Sequence, residues 1–258
     1  MGAMPATYVP SWAAMVRAPN PGPMTLDGTN TWVLRDNASS TCVIVDPGPD
    51  DDGHLSALAA YAPVEAIIVT HRHLDHLAGV APLADRLGGN VPVLAAAPEL
   101  CRNADHLADG ARLDLAGLSM SVLAAPGHTA DSICLLVEDG TGERAVLTGD
   151  TILGRGTTVV AWPDGDLGAY LVTLDRLARL SGVPVLPGHG PTLPDCGAVA
   201  AEYRTHRDQR LDQVRAALAA GASTPHEVVS HVYPDLDPRL LDAAEWTVRA
   251  ALAYLEPA

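Results

Sequence analysis

The chain has no lysine and no phenylalanine, so all 16 of its basic residues are arginine. These absences reflect a bias toward GC-rich codons more than a chemical demand. Against the arginines stand 31 acids, which leave a formal net charge of -15 over 258 residues. A field of that sign disfavours the long-range capture of polyanions on which nucleic-acid binders rely, although bound metal ions would offset part of it. Cysteine is scarce as well. Cys42, Cys101, Cys134 and Cys196 form no CxxC pair, so neither a disulfide framework nor a cysteine-zinc site is expected, and Cys42 and Cys134 read as buried, reduced thiols. No apolar run reaches membrane-spanning length, and prolines interrupt the N-terminal segment too often for a signal peptide. A cytoplasmic protein without membrane association is expected.

What is present is ample apolar material, 48% of the chain, enough for one large domain or one domain with an appendage. The runs "TWVLR", "TCVIVD", "AIIVT", "LSMSVLAAP", "SICLLVED" and "AVLTGD" predict strands bounded by Gly, Pro and Asp. Between them "GHLSALAAYA", "HLAGVAPLADRLG" and "LGAYLVTLDRLARL" have the spacing of one-sided helices. The chain is thus α/β up to about residue 195. From residue 199 three helices without strands are predicted, over 199 to 220, 225 to 233 and 238 to 255. Thr224, Pro225 and Glu227 form a capping-box signature for the second. Leu211, Val214 and Leu218 recur on one face of the first helix and must bury against something. The division expected is 1–198 and 199–258.

The densest chemistry lies in "THRHLDH", which ends the predicted strand "AIIVT". Residues two apart in an extended chain point the same way, so His71 and His73 project together while Arg72 points opposite. If a helix begins near Leu77, Asp75 and His76 lie at its N-terminal edge and face a second point close by. Three further candidates follow apolar strands: His128 in "PGHT", Asp150 in "TGD" and His189 in "PGHG". Glycine beside each lets the backbone turn sharply and expose the side chain. A lone histidine is ordinarily a hydrogen-bonded one. Five in such settings, with two aspartates, indicate a metal centre.

In this order, the four motifs resemble the metallo-β-lactamase superfamily over residues 24 to 192. That resemblance implies an αββα sandwich with metals at one edge. "PGPMTLDGTNTWVL", "VDPGPD" and the tail with "YPDLDP" are similar to the β-lactamase-like protein 2 branch, whose members carry a winged-helix-like C-terminal domain. Carried over, the pattern implies one metal on His71, His73 and His128, a second on Asp75, His76 and His189, and Asp150 bridging both. It also implies that Asp46, in "VDPG", orients the metal-binding loop.

Such a ligand set leaves room for a bridging hydroxide and a substrate oxygen, unlike a closed structural zinc site. Two cations about 3.5–4 Å apart would supply hydroxide near neutral pH, with Asp75 and Asp150 orienting it. Nitrogen and oxygen ligands suit zinc best, and iron or manganese also fits. The expected activity is hydrolysis of a small ester or thioester, or, as the branch resemblance implies, of single-stranded RNA. The alternative is a non-catalytic scaffold stapled by metal. A lactamase is disfavoured, since no lysine is present to receive a drug carboxylate. From residue 199 six arginines face nine acids, so the tail reads as a packing or homodimerisation module more than as a nucleic-acid arm. Arg155, Trp162 and Asn30 are candidate substrate contacts: an anion partner, a stacking surface and a cleft-lining amide.

Overall fold

The computed structural model describes residues 8–256. Two five-stranded sheets lie face to face. The first runs β1 (Ala13–Arg17), β2 (Asn30–Leu34), β3 (Cys42–Val45), β4 (Val64–Ile68) and β5 (Val93–Leu94) in chain order, antiparallel up to β3 and parallel from there. The second is ordered β10 (Val185–Pro187), β9 (Arg144–Gly149), β8 (Ile133–Glu138), β7 (Leu118–Ala124) and β6 (Arg112–Leu115). Only its β10–β9 pair is parallel.

Strand alternation builds the layers. In β3, Val43 and Val45 enter the core between the sheets, where they meet Met120, Leu135 and Leu147. Their neighbours Cys42 and Ile44 face outward and are covered by Leu55 and Leu58 of α1 (Asp52–Ala59) and Leu83 of α3 (Val80–Arg86). In β9, Ala145 and Leu147 point in while Val146 points out, toward Tyr170 and Leu174 of α4 (Leu167–Leu177). The period of two thus gives each sheet two apolar faces, and each needs a helical layer outside it. The result is the expected αββα order.

Three helices follow, α5 (Cys196–Ala219), α6 (Pro225–Val232) and α7 (Leu241–Leu255). Asp195 caps α5 by accepting from the Ala198 amide, and the Thr224–Glu227 capping box opens α6 as predicted. Leu211 and Val214 of α5 join the core that contains Tyr170 and Leu174, together with Val228 of α6 and Val248 of α7. The tail therefore closes over the outer helix of the second sheet. Leu218 does not take part as expected: it is 39% exposed, and Ala217 carries the buried stripe instead. No helix among the described residues is long and apolar enough to cross a membrane.

The structure departs from the expected elements at one informative point. "HLAGVAPLADRLG" is not one helix; it is split between a single turn, α2 (Leu74–Leu77), and α3. The break is at Gly79, whose amide donates to the Gly48 carbonyl at 2.8 Å. A Cβ there would lie 2.9 Å from Leu55 Cδ2 and 3.0 Å from Gly48 O, so only glycine permits this approach. The first helix begins at Leu74, three residues before the expected Leu77, so Asp75 and His76 lie inside α2 and not ahead of it.

The shared core yields a stability prediction. Leu211→Ala should cost about 2–5 kcal/mol and lower the temperature of one common unfolding transition. Differential scanning calorimetry checks this, and a separate tail transition moving alone would contradict the shared core.

Candidate metal centre

The functional side chains meet at one edge of the sandwich, where β4, β7, β9 and β10 end. The Ile133 amide donates to Thr70 O at 2.9 Å, and Thr29 bridges to His189, so both sheets are fastened beside the site. His71, His73, His128 and Asp150 present atoms all within 4.8 Å of one another, and Asp75, His76 and His189 do the same. Asp150 faces both groups. Its Oδ2 is 3.8 Å from His128 Nε2 and 3.4 Å from His189 Nε2, and its Oδ1 is 3.3 Å from His76 Nε2. All seven residues singled out in the sequence are thus brought together.

Outward partners set the rings' orientation. His128 Nδ1 donates to the Val159 carbonyl at 2.6 Å, His76 Nδ1 to Asp46 Oδ2 at 2.9 Å, and His189 Nδ1 to the Gly28 carbonyl at 3.3 Å. Asp46 lies buried at φ +54° and also accepts from the Thr70 amide (2.8 Å) and hydroxyl (2.7 Å). With its proton committed to Asp46, Thr70 Oγ1 accepts from His71 Nδ1 at 3.0 Å. Each donation fixes the tautomer and turns the other ring nitrogen's lone pair inward.

Those inward lone pairs need a cation. His73 Nδ1 lies 3.1 Å from His71 Nε2 and 3.0 Å from His128 Nε2, and His76 Nε2 lies 3.2 Å from His189 Nε2. Asp150 Oδ1 is buried with no hydrogen-bond partner. Burial holds His71 well below the usual histidine range, with the nearby His76 adding to it, and pushes His128 down to about 4 against the pull of Asp150. On the other side burial is outweighed: the Asp150 and Asp46 carboxylates hold His76 well above that range, and Asp150 with Asp75 pushes His189 up to about 9. Asp150 itself stays well below the carboxylate range, burial being overcome by His189 and His76. Imidazole nitrogens gathered around ionised carboxylates are a donor set for divalent cations, and the residues fit that group.

The other predicted residues lie farther out. Arg72 points away from the centre, 3.2 Å from Asp131, as expected, although residues 70–72 form a bend beyond β4 and are not part of the strand. Asn30 is fully buried; its amide donates to Pro187 O and Gly190 O, which holds the loop carrying His189. Arg155 lines the cavity beside the centre and is paired with Asp27 at 2.6 and 2.8 Å. Trp162 is 39% exposed, with the Arg249 guanidinium 5.7 Å from its ring centroid. Thr70, Thr158 and Arg207 escaped sequence reading. The Thr158 hydroxyl is 3.2 Å from His128 Nδ1, and the buried Arg207 donates to the Thr158 carbonyl. A threonine directly before the histidine motif was a usable signal; the other two lie 30 and 79 positions from His128 and carried none.

The same architecture and motifs occur in known proteins. Residues 24–189 match the metallo-beta-lactamase superfamily, and residues 224–257 match the beta-lactamase associated winged helix domain. A beta-lactamase-like protein 2 homolog of Caenorhabditis elegans is 32% identical over 90% of this chain and 77% of its own. An atrochrysone carboxyl ACP thioesterase of Aspergillus chevalieri is 33% identical over 84% and 72%. Among solved structures, a metallo-beta-lactamase family protein from Thermus thermophilus superposes with a TM-score of 0.78 at 22% identity, covering 95% of this chain and 93% of that one. TTHA1623 in a di-iron-bound form gives 0.58 at 27% identity, covering 75% and 99%. The chain belongs to the metallo-beta-lactamase superfamily and is a metal-dependent hydrolase with that superfamily's fold.

Proposed function

We infer that the protein is a dinuclear hydrolase of small esters or thioesters, with catalytic chemistry in residues 1–198 and a cleft wall in residues 199–258. The observation that carries this reading is Asp150, whose Oδ2 lies between His128 of one group and His189 of the other and whose Oδ1, beside His76, has no hydrogen-bond partner. His71, His73 and His128 would hold one divalent cation and Asp75, His76 and His189 the other, with Asp150 shared. Zinc suits this donor set best, and iron or manganese fits it too; a di-iron form of TTHA1623 supports two-metal occupancy. When bound, the cations supply Lewis acidity, which acidifies water and offsets negative charge on a substrate oxygen.

The chain's own residues do the rest. Asp46 keeps its grip on His76 and Thr70, and through Thr70 on His71, so these rings do not reorient during turnover. Asp150, held ionised by its histidine neighbours, can accept a hydrogen bond from a water and aim it, and Asp75, 3.1 Å from His189 Nε2, can do the same. Hydrolysis consumes one water: hydroxyl is added to the acyl carbon, and the proton leaves with the thiol or alcohol. An acyl substrate is favoured over RNA because the arginines of α5 offer no free basic face. Arg204 pairs with Asp175 and Asp208, Arg215 pairs with Asp212, and Arg210 packs over Tyr233. The thioesterase relative supports the same choice. A cytoplasmic setting is supported by four free cysteines.

Three outcomes are expected. Purified protein should carry about two metal equivalents by elemental analysis and lose activity with a strong chelator; metal-free protein with full activity would overturn the reading. Asp150→Ala should lower kcat on thioesters by about a hundredfold or more while circular dichroism stays native. Gly188→Ala should cut metal affinity by about 10- to 100-fold, because the added Cβ would lie 2.6 Å from Asp150 Oδ1 and 2.7 Å from His76 Cε1. Metal titration followed by calorimetry measures this last effect.

A further inference from the structure

Beside the metal centre lies a cavity of about 290 Å³ that reaches from His128 and Asp150 to α7. Met24, Leu26, Leu153, Leu236 and Leu240 make its wall largely apolar. Two arginines interrupt that wall. Arg155 is half-exposed and directs both terminal nitrogens at Asp27, so its charge is already answered. Arg207 differs in every respect.

Arg207 is only 3% exposed, on a helix packed into the protein core. One terminal nitrogen donates to the Thr158 carbonyl, and the guanidinium carbon lies 5.3 Å from the Tyr170 ring centroid. Its Nε is buried with no hydrogen-bond partner. Among the described residues no carboxylate pairs with it, although the chain carries 31 acids. Arginine remains charged at any physiological pH, and a buried charge without a counterion is strongly disfavoured. A neutral carbonyl and an aromatic face offset only part of that cost. Because the cation also lines the substrate cavity, an anion entering that cavity would complete its pairing.

Proximity joins this cation to the reaction. Thr158 accepts from Arg207 through its carbonyl, and its hydroxyl lies 3.2 Å from His128 Nδ1. One residue thus separates the guanidinium from the metal centre, and a single small molecule can span both. We propose that Arg207 recognises a carboxylate remote from the scissile bond of an otherwise apolar acyl substrate, with that bond placed over His128 and Asp150. The assignment rests on the hydrolase reading above. Arg207 is a specificity residue, and it takes no part in bond making or breaking.

The test uses metal-loaded, full-length protein and paired N-acetylcysteamine thioesters of five to ten acyl carbons, each pair matching a terminal carboxylate with a terminal methyl. Wild-type kcat/KM should be at least about tenfold higher for the carboxylate member of one pair, as expected for a charged hydrogen bond. Arg207→Met should bring that ratio close to one, mainly through KM of the anionic member, and Arg207→Lys should restore part of it. A ratio near one in the wild type at every length would overturn the proposal. So would an Arg207→Met protein with native circular dichroism and metal content that loses both members equally, since that would mark Arg207 as a strut for the Thr158 segment. If no thioester is turned over, the thioester reading has failed, and calorimetric titration with the five- to ten-carbon dicarboxylates decides the anion site by itself. Binding that Arg207→Met abolishes sustains the site, and binding that is absent or unchanged overturns it.

Discussion

Seven polar side chains point into one small volume, and most of their inward atoms have no proton to share. This is the constraint on which the rest of the structure depends. Imidazole lone pairs 3.0 to 3.2 Å apart repel unless positive charge lies among them, and the two aspartates add negative charge. The carboxylates of Asp150, Asp46 and Asp75 draw positive charge toward His76 and His189, raising both above the usual histidine range against burial. Divalent cations answer that demand fully. The outward contacts to Asp46, Thr70, Val159 and Gly28 follow from the same need, because each directs one ring nitrogen outward and leaves its partner free.

The two sheets make that convergence possible. Each ends a strand at the same edge, and the core between them holds Val43, Val45, Leu135 and Leu147 fixed behind the ligand loops. Side chains on loops one to five residues beyond such strands, as Asp150, His189, His71, His128 and His73 are, have little freedom left. Glycine is used where backbone must pass close: Gly79 lets α2 turn away from α3, and Gly188 leaves space that a methyl group would take from Asp150. Both are steric requirements of the site.

The tail has two duties in one packing arrangement. Its buried stripe covers α4, and its side toward the metal edge contributes Arg207, Leu236 and Leu240 to the cavity. An acidic chain whose α5 arginines Arg204 and Arg215 are paired with acids and whose Arg207 is buried offers little to a long polyanion. A single buried guanidinium within an apolar wall suits a small amphiphilic anion better.

Much was legible from residue order, for definite reasons. Strand runs reveal themselves by apolar content, the capping box at Thr224 is a local signature, and His71, His73, Asp75 and His76 lie so close in sequence that backbone geometry alone brings them near one another. His128, Asp150 and His189 were found because each follows a strand and borders a glycine. Local pattern ran α2 and α3 together as one helix, since the Gly79–Gly48 contact that separates them joins segments about thirty residues apart. It could not show that Asn30 is committed to the His189 loop, that Asp27 answers Arg155, or that no acid answers Arg207. These depend on which distant segments meet, and side-chain contacts across 128 or 160 positions leave no periodic trace in a single chain. The candidate metal-binding side chains and the α/β class were determined by the sequence itself, through spacing and hydrophobic alternation. Which charges are paired, and so what the cavity can accept, was decided only by the tertiary structure, because burial and counterions are properties of neighbours in space.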